Sequence, residues 1–406
     1  MRLGRLTQSE CETLDRALSE LDLSRIDPGD EDVHTAVERL LGEKVGEIAQ
    51  KLPVGRSRND LAVTGFRMHL ASAIAGVETG VRLIQEVLVD RAQETADALM
   101  PGYTHMRRGQ PVVFAQYLLA YFWALERDRT RLSQARARSL ELPLGAGALA
   151  GSSIGVDREA LASDLGFPEV LENSIDAVSS RDFAIEFLAA AALLATQLSR
   201  MAEDLILWST AEFAFLSIDE AYSTGSSLMP QKRNPDGLEL VRGKCGRVVG
   251  SLVALLTTTK GLATGYQRDL QEDKEPVFDT IDTLRLALPV MQGTLKTLAL
   301  DREAMARAVT SDLLATDLAD YLVDKGLPFR QAHRVVGEIL ASAAEDGRDP
   351  AALDLVTLKQ FSPLFEADVG NAWSPRASLA RKTSRGGVSP QAIELQIRRA
   401  REVLSS

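Results

Sequence analysis

The chain has 406 residues, 45% of them hydrophobic, enough to bury a large core and to divide into two or three domains. A formal charge of −11 argues against nucleic acid as a general partner, though a local basic pocket for a small anionic substrate is compatible with it. Two cysteines, Cys11 and Cys245, exclude a disulfide framework, and no Cys/His cluster has metal-ligand spacing, which points to a reducing compartment and no metal.

Helical periodicity recurs along most of the chain and few segments alternate with period two, so an all-α fold is expected. Thr7-Gln8-Ser9-Glu10 has the spacing of a capping box and opens a first helix that runs to about Leu21. Asp27-Pro28-Gly29-Asp30 is a turn, a second helix covers about Glu31 to Gln50, and Pro53-Val54-Gly55 breaks it. From Asn59 to about Leu99 there is no proline, and the apolar spacing predicts one long helix, bent at Gly76 or Gly80. Pro101-Gly102 stops it, and Pro111 marks the start of the next, which reaches about Leu140. A Gly/Ala/Ser-rich loop follows from Gly145 to Gly155, then short helices around Asp157 to Asp164 and a third long helix over about Ser180 to Ser209. Its most apolar stretch, Phe187 to Ala195, lies between Glu186 and Thr196 and is too short to span a bilayer. With no signal-peptide run at the start, a soluble cytoplasmic protein without membrane contact is expected. Helices over about Pro235 to Lys260 and Glu275 to Leu300 bring the long ones to five. The last hundred residues read as shorter helices, broken by Gly326-Leu327-Pro328, Asp349-Pro350 and Arg385-Gly386-Gly387 and ending in an amphipathic helix after Pro390. Boundaries fall near residues 56 and 305, giving an N-terminal helical domain 1–56, a central long-helix domain 57–305 and a small C-terminal domain 306–406.

The stretch with the most chemistry is Gly225-Ser226-Ser227-Leu228-Met229-Pro230-Gln231-Lys232-Arg233-Asn234-Pro235-Asp236. Asn234 suits an N-cap and Pro235 the first helical position, so a helix start with free N–H groups sits beside the Lys232 cation. Cations and oriented amides stabilise both a serine alkoxide and a developing carboxylate dianion, which suits proton abstraction next to a carboxylate. Taken alone, the same string also reads as a Gly/Pro/Asn turn with a lysine in solvent. Three further stretches have bland readings of the same kind. Tyr103 to Pro111 is an inter-helix loop with a solvent histidine, Val54 to Asp60 is an N-cap loop with arginines in water, and Tyr266 to Lys274 is a polar loop before a helix.

The arm string resembles the signature of the fumarase/aspartase superfamily of lyases, and its Gln231-Lys232-Arg233-Asn234-Pro235-Asp236 half is most similar to argininosuccinate lyases and the delta crystallins. The resemblance runs from about Leu6 to the C-terminus. It includes Tyr103-Thr104-His105-Met106-Arg107-Arg108-Gly109-Gln110-Pro111, Ser57-Arg58-Asn59-Asp60, Ser180-Arg181-Asp182-Phe183 and Glu31-Asp32-Val33-His34. It implies a three-domain all-α lyase whose bundle of five long helices joins a twenty-helix core in a homotetramer, with each active site drawn from three chains. Long helices with apolar residues on more than one face agree with that expectation.

The implied reaction is the reversible anti-elimination of fumarate from argininosuccinate, leaving arginine, without a cofactor. In the roles the resemblance implies, Ser226 is the base, Lys232 and Asn234 stabilise the aci-carboxylate intermediate, and His105, helped by Thr104 and oriented by Glu239, protonates the leaving nitrogen. Ser57, Arg58 and Asn59 hold a substrate carboxylate, a task for which the Arg58 fork is suited. Tyr266, Gln271 and Lys274 take the amino-acid end, and Arg181, Asp32 and His34 lie near the substrate; His69 and His333 are expected to be structural. Pro53, Val54, Leu61, Arg107 and Gly109 depart from the family pattern, Gly109 in a way expected to loosen its turn. The family usually carries a further N-terminal arm, so the sequence is expected to begin inside its first domain, at Met1 to Thr7. The alternatives are another fumarate-releasing relative such as an adenylosuccinate lyase, or a crystallin-like or truncated chain without activity.

Overall fold

The computed structural model describes residues 6–405, so the expectation about residues 1–5 lies outside the described residues. Helix α1 (Gln8–Ser19) opens on the predicted capping box: Thr7 accepts from the Glu10 amide, and Glu10 accepts in return from the Thr7 amide. Helix α2 (Val33–Val45) is capped by Asp32 and gives way to a 3-10 stretch, Gly46–Lys51, that covers the end of the predicted second helix. The five long helices are α3 (Arg58–Glu94), α4 (Phe114–Ser139), α7 (Asp182–Ser209), α8 (Asp236–Thr259) and α9 (Lys274–Thr297), with α5 (Arg158–Leu165) and α6 (Ser174–Ser179) between α4 and α7. Pro289 sits inside α9, where it removes one amide from the helical ladder. Six shorter helices follow: α10 (Arg302–Arg307), α11 (Ala315–Asp324), α12 (Phe329–Glu345), α13 (Leu355–Phe361), α14 (Pro375–Arg381) and α15 (Pro390–Ser405).

One element differs in kind from the expectation. Between α3 and α4 the chain forms an antiparallel hairpin, β1 (Leu99–Thr104) and β2 (Arg107–Val113), so Pro111 lies in a strand and the helix begins at Phe114. The pairing slips at Gly102, where an added Cβ would meet Val112 Cγ1 at 3.0 Å and the Gln110 carbonyl at 3.1 Å.

Packing groups the chain into two compact units. Of the described residues, the first holds 6–78, 131–192 and 247–282, and the second holds 79–130, 193–246 and 283–405. Each long helix contributes one part to each unit. In the first unit, Phe66 of α3 makes edge contacts with Phe183 of α7 and Phe278 of α9, at 5.5 and 6.1 Å between ring centres. The buried Arg67 guanidinium lies 4.1 Å over the Phe183 ring and donates to the Arg138 carbonyl on α4. In the second unit, Gly80 of α3 faces Leu288 of α9 at a separation that leaves no room for a Cβ, and Tyr222 covers Gly293 of α9 so closely that the same holds there. Its C-terminal part has a separate core, in which Leu318, Leu322, Val336, Ile339 and Phe365 are buried.

Helix α7 is longer and more apolar than the Phe187 to Ala195 run suggests. By length and composition its 28 residues are enough to cross a membrane, but 56% of its most apolar window is buried inside the chain, as in the core helix of a folded domain.

Candidate active site

The arm between Tyr222 and α8 is closed at its base by a two-rung ladder, Thr224–Gly225 against Arg233–Asn234. The Ser226 amide donates to the Lys232 carbonyl at 3.3 Å, and the Lys232 amide donates to the Met229 carbonyl at 3.0 Å, which folds the arm into a tight loop. Within it the half-buried Ser226 Oγ accepts from two backbone amides, Leu228 N at 3.3 Å and Met229 N at 3.0 Å. Two donors aimed at one hydroxyl oxygen stabilise negative charge on it, which is what a serine base requires. The Lys232 side chain is exposed beside them. Outside the ladder, Thr224 hydrogen-bonds the Asp236 carboxylate and Arg233 pairs with Glu220 at 2.6 Å.

Helix α8 starts one residue later than expected. The Pro235 carbonyl accepts from Leu238 N and Glu239 N, both at 3.0 Å, so Pro235 occupies the cap position and Asn234 is a strand residue facing Thr224 rather than an N-cap. Ladder pairing of Asn234 overrides its local capping preference. Glu239 is exposed and lies 3.6 Å from Arg242; among the described residues no hydrogen bond or ion pair joins it to His105 within the chain.

Thr104 and His105 sit at the tip of the hairpin. Thr104 pairs with Arg107, so His105-Met106 is a two-residue connection, and both residues have positive φ, 52° and 60°. That geometry matches the twist of the strands but normally selects glycine or asparagine, so here it strains the backbone at the expected proton donor. Both residues are exposed. Gly109, expected to loosen this turn, lies in β2, where an added Cβ would make only ordinary contacts with the Gly102 carbonyl at 3.6 Å and Thr104 at 3.9 Å.

The hairpin is anchored at Tyr103, whose amide donates to Tyr117 Oη at 3.1 Å. One turn along α4, Tyr121 Oη donates to Asp204 of α7 at 2.5 Å. Burial raises the Asp204 carboxyl above its ordinary range, outweighing the tyrosine bond and Arg200. A carboxyl raised on folding binds its proton in the folded state first, so its contribution to stability is present in acid and is lost as pH rises through the raised value. Asp204→Asn keeps an acceptor for Tyr121 and removes that loss. The variant's melting temperature should therefore gain on the wild type as pH rises from below the ordinary aspartate value of about 4, and a parallel pH dependence of the two would rule out a buried Asp204 charge.

In the first unit, Ser57-Arg58-Asn59 lies at the start of α3, with Ser57 Oγ accepting from the Asn59 amide. Arg58 is already engaged: it donates to Glu31 at 2.8 Å and to Thr35 Oγ1 at 2.8 Å, and lies 3.2 Å from Asp32. Glu31 has a side chain that is 69% exposed, and exposed pairs of this kind exchange at a cost of about 0–1 kcal/mol, so Arg58 is open to another carboxylate. Asp32 accepts from the Thr35 amide; burial works against its charge, but the Thr35 amide and hydroxyl, with Arg58, hold its carboxyl below the usual range. His34 is half-buried in the first turn of α2.

Asp60, to which the motif by itself assigns no role, is fully buried. It accepts from Ser57 N at 3.0 Å, Gly145 N at 3.0 Å and Gly147 N at 2.9 Å, while Asn59 donates to the Ala148 carbonyl at 3.2 Å. The Gly/Ala-rich loop and the Ser57-Arg58-Asn59 turn are thereby one assembly. Gly147 has φ +63°, and a Cβ there would lie 2.7 Å from the Gly151 carbonyl. Tyr266 packs on Ala146, Ala177 and Val178 beside this loop and accepts a hydrogen bond from Gln271. Lys274 is partly exposed, whereas Arg181 is buried. The signal that marks Asp60 and Asp273 is a carboxylate within two residues of a cationic motif residue, a pattern with many surface counterparts in this chain.

The sequence family described as "Lyase" matches residues 5–250, and that described as "Argininosuccinate lyase C-terminal" matches residues 312–380. The argininosuccinate lyase of Symbiobacterium thermophilum is 48% identical over 412 residues, covering 100% of this chain and 89% of its own length. That of Roseiflexus castenholzii is 50% identical over 377 residues, covering 93% and 83%. Among solved structures, a variant of EDDS lyase with bound fumarate superposes with a TM-score of 0.92 at 30% identity, covering 100% of this chain and 83% of that one. The 3-carboxy-cis,cis-muconate lactonizing enzyme from Pseudomonas putida shares the fold, with a TM-score of 0.84 at 22% identity over 99% and 91% of the two chains.

Proposed function

This chain belongs to the argininosuccinate lyases of the fumarase/aspartase superfamily, and from that premise we propose how its residues release fumarate from argininosuccinate. It is a carbon–nitrogen lyase, and arginine is the second product. The Ser226 alkoxide, held by the Leu228 and Met229 amides, takes the proton from the carbon beside a substrate carboxylate. The electron pair moves into that carboxylate, forming an aci-carboxylate whose charge is met by the Lys232 ammonium and the Asn234 amide. The aci-carboxylate pair then returns to form the C=C bond of fumarate as the C–N bonding pair leaves with nitrogen, which receives a proton from His105 while Thr104 holds the substrate. Ser57, Arg58 and Asn59 hold a carboxylate of the substrate, with Asp32 and His34 behind them, and Tyr266, Gln271 and Lys274 receive the amino-acid end. The two amides on Ser226 Oγ are the observation that carries this assignment.

Glu239 orients His105 from another subunit of a homotetramer in this reading. Supporting it, the Glu239 carboxylate pairs with Arg242 alone among the described residues, and the long helices leave Leu240, Val253 and Leu286 more than half exposed. The division into 1–56, 57–305 and 306–406 belongs to the same reading, as do a cytoplasmic location and a place in arginine biosynthesis. Fumarate release, followed by ultraviolet absorbance with argininosuccinate and adenylosuccinate given separately, is the test. Release from argininosuccinate alone is expected, and release from adenylosuccinate alone would overturn the substrate assignment. A monomeric mass by light scattering would remove the shared site.

A further inference from the structure

Arg181 and Lys274 are the two cations assigned to the substrate beyond the arm and the clamp, and their surroundings separate them. The Arg181 side chain is 3% exposed, and its Nη1 donates to the Ser180 and Val178 carbonyls at 2.8 and 3.4 Å. Its Nε donates to Asp273 Oδ2. The other oxygen of the same carboxylate, Oδ1, accepts from Lys274 Nζ at 2.6 Å. Asp273 is fully buried, so this one anion lies between a buried guanidinium and an ammonium whose side chain is 34% exposed.

We propose that Asp273 is the positioning residue for substrate recognition: anchored by Arg181, it aims the Lys274 ammonium at the carboxylate of the amino-acid end of argininosuccinate. The inference rests on the assignment of Lys274 to that end. Lysine is a flexible point charge, and an unanchored one loses rotamer freedom each time it binds. Asp273 removes that cost in advance, and two cations on one carboxylate leave one positive charge uncompensated, which favours a second carboxylate at Lys274. The place is rigid on both sides. Arg181 immediately precedes α7, while Asp273 ends the 3-10 turn Arg268–Asp273 and Lys274 opens α9. The Phe66 ring, 5.7 Å from Lys274 Nζ, closes the apolar side. Arg181 therefore acts through Asp273 rather than by touching substrate.

The test is product inhibition measured alongside turnover. In Asp273→Asn, KM for argininosuccinate and Ki for arginine should rise about tenfold or more, as expected when a charged hydrogen bond loses its geometry. Ki for fumarate should stay within about twofold, and kcat should fall less than KM rises. A folded Asp273→Asn enzyme that leaves KM and Ki for arginine unchanged, while Lys274→Met raises both, would overturn the relay and leave the Lys274 assignment standing. Unchanged values in Lys274→Met would remove that assignment and the inference with it. A fall in kcat that weakens arginine and fumarate equally would make Asp273 a fold residue only. Should Asp273→Asn fail to fold, Arg181→Gln/Asp273→Asn leaves no buried cation unpaired and is judged by the same readouts.

Discussion

Ser226→Ala should lower turnover by about 10²–10⁴-fold while leaving argininosuccinate binding measurable, because the substitution removes the proton acceptor and none of the groups assigned to hold the substrate. Ser226 Oγ is also the acceptor for the Leu228 and Met229 amides, but the arm is held at its base by the Thr224–Gly225 and Arg233–Asn234 ladder, which alanine leaves in place. The loss should therefore appear in kcat and not in stability. Single-turnover fumarate release together with equilibrium binding separates the two. A variant retaining more than roughly a tenth of the wild-type rate would remove Ser226 from the role, with the neighbouring Ser227 hydroxyl the next to examine.

Asp60→Ala should be the most destabilising change near the site. It leaves the Gly145 and Gly147 amides buried without an acceptor, at about 1–3 kcal/mol each, so a total of about 3–4 kcal/mol is expected from urea unfolding. The effect on binding should accompany it, since Asp60 also holds the Ser57 amide and with it the turn that carries Arg58 and Asn59. Asp60→Asn keeps one carbonyl acceptor and should lose less on both counts. A loss below about 1 kcal/mol in Asp60→Ala would mean that water satisfies these amides and that the loop is held by other contacts.

How much was legible in the sequence differs from element to element. The α1 start was readable because a capping box involves only residues 7 to 10, and all five long helices were readable because apolar spacing and proline positions are local. The hairpin was not. His105-Met106 lacks the Asn-Gly or Asp-Gly signal of a two-residue turn, and its positive φ values are imposed by the pairing of β1 with β2. Asn234 shows the same limit, since its capping preference yields to a partner ten residues earlier.

By itself the sequence determined the all-α class and the extent of the long helices, and it singled out the arm, Thr104-His105 and Ser57-Arg58-Asn59 as motif residues, since these depend on short-range spacing and on motif identity. Tertiary structure alone decided what each charged group faces. It placed Asp60 under loop amides 85 and 87 residues away, buried Arg181 against Asp273 at a separation of 92 residues, and gave Arg58 to Glu31 across 27. The physical reason is that a charged side chain takes its role from burial and from the partner that compensates its desolvation, and both are set by contacts distant in the chain.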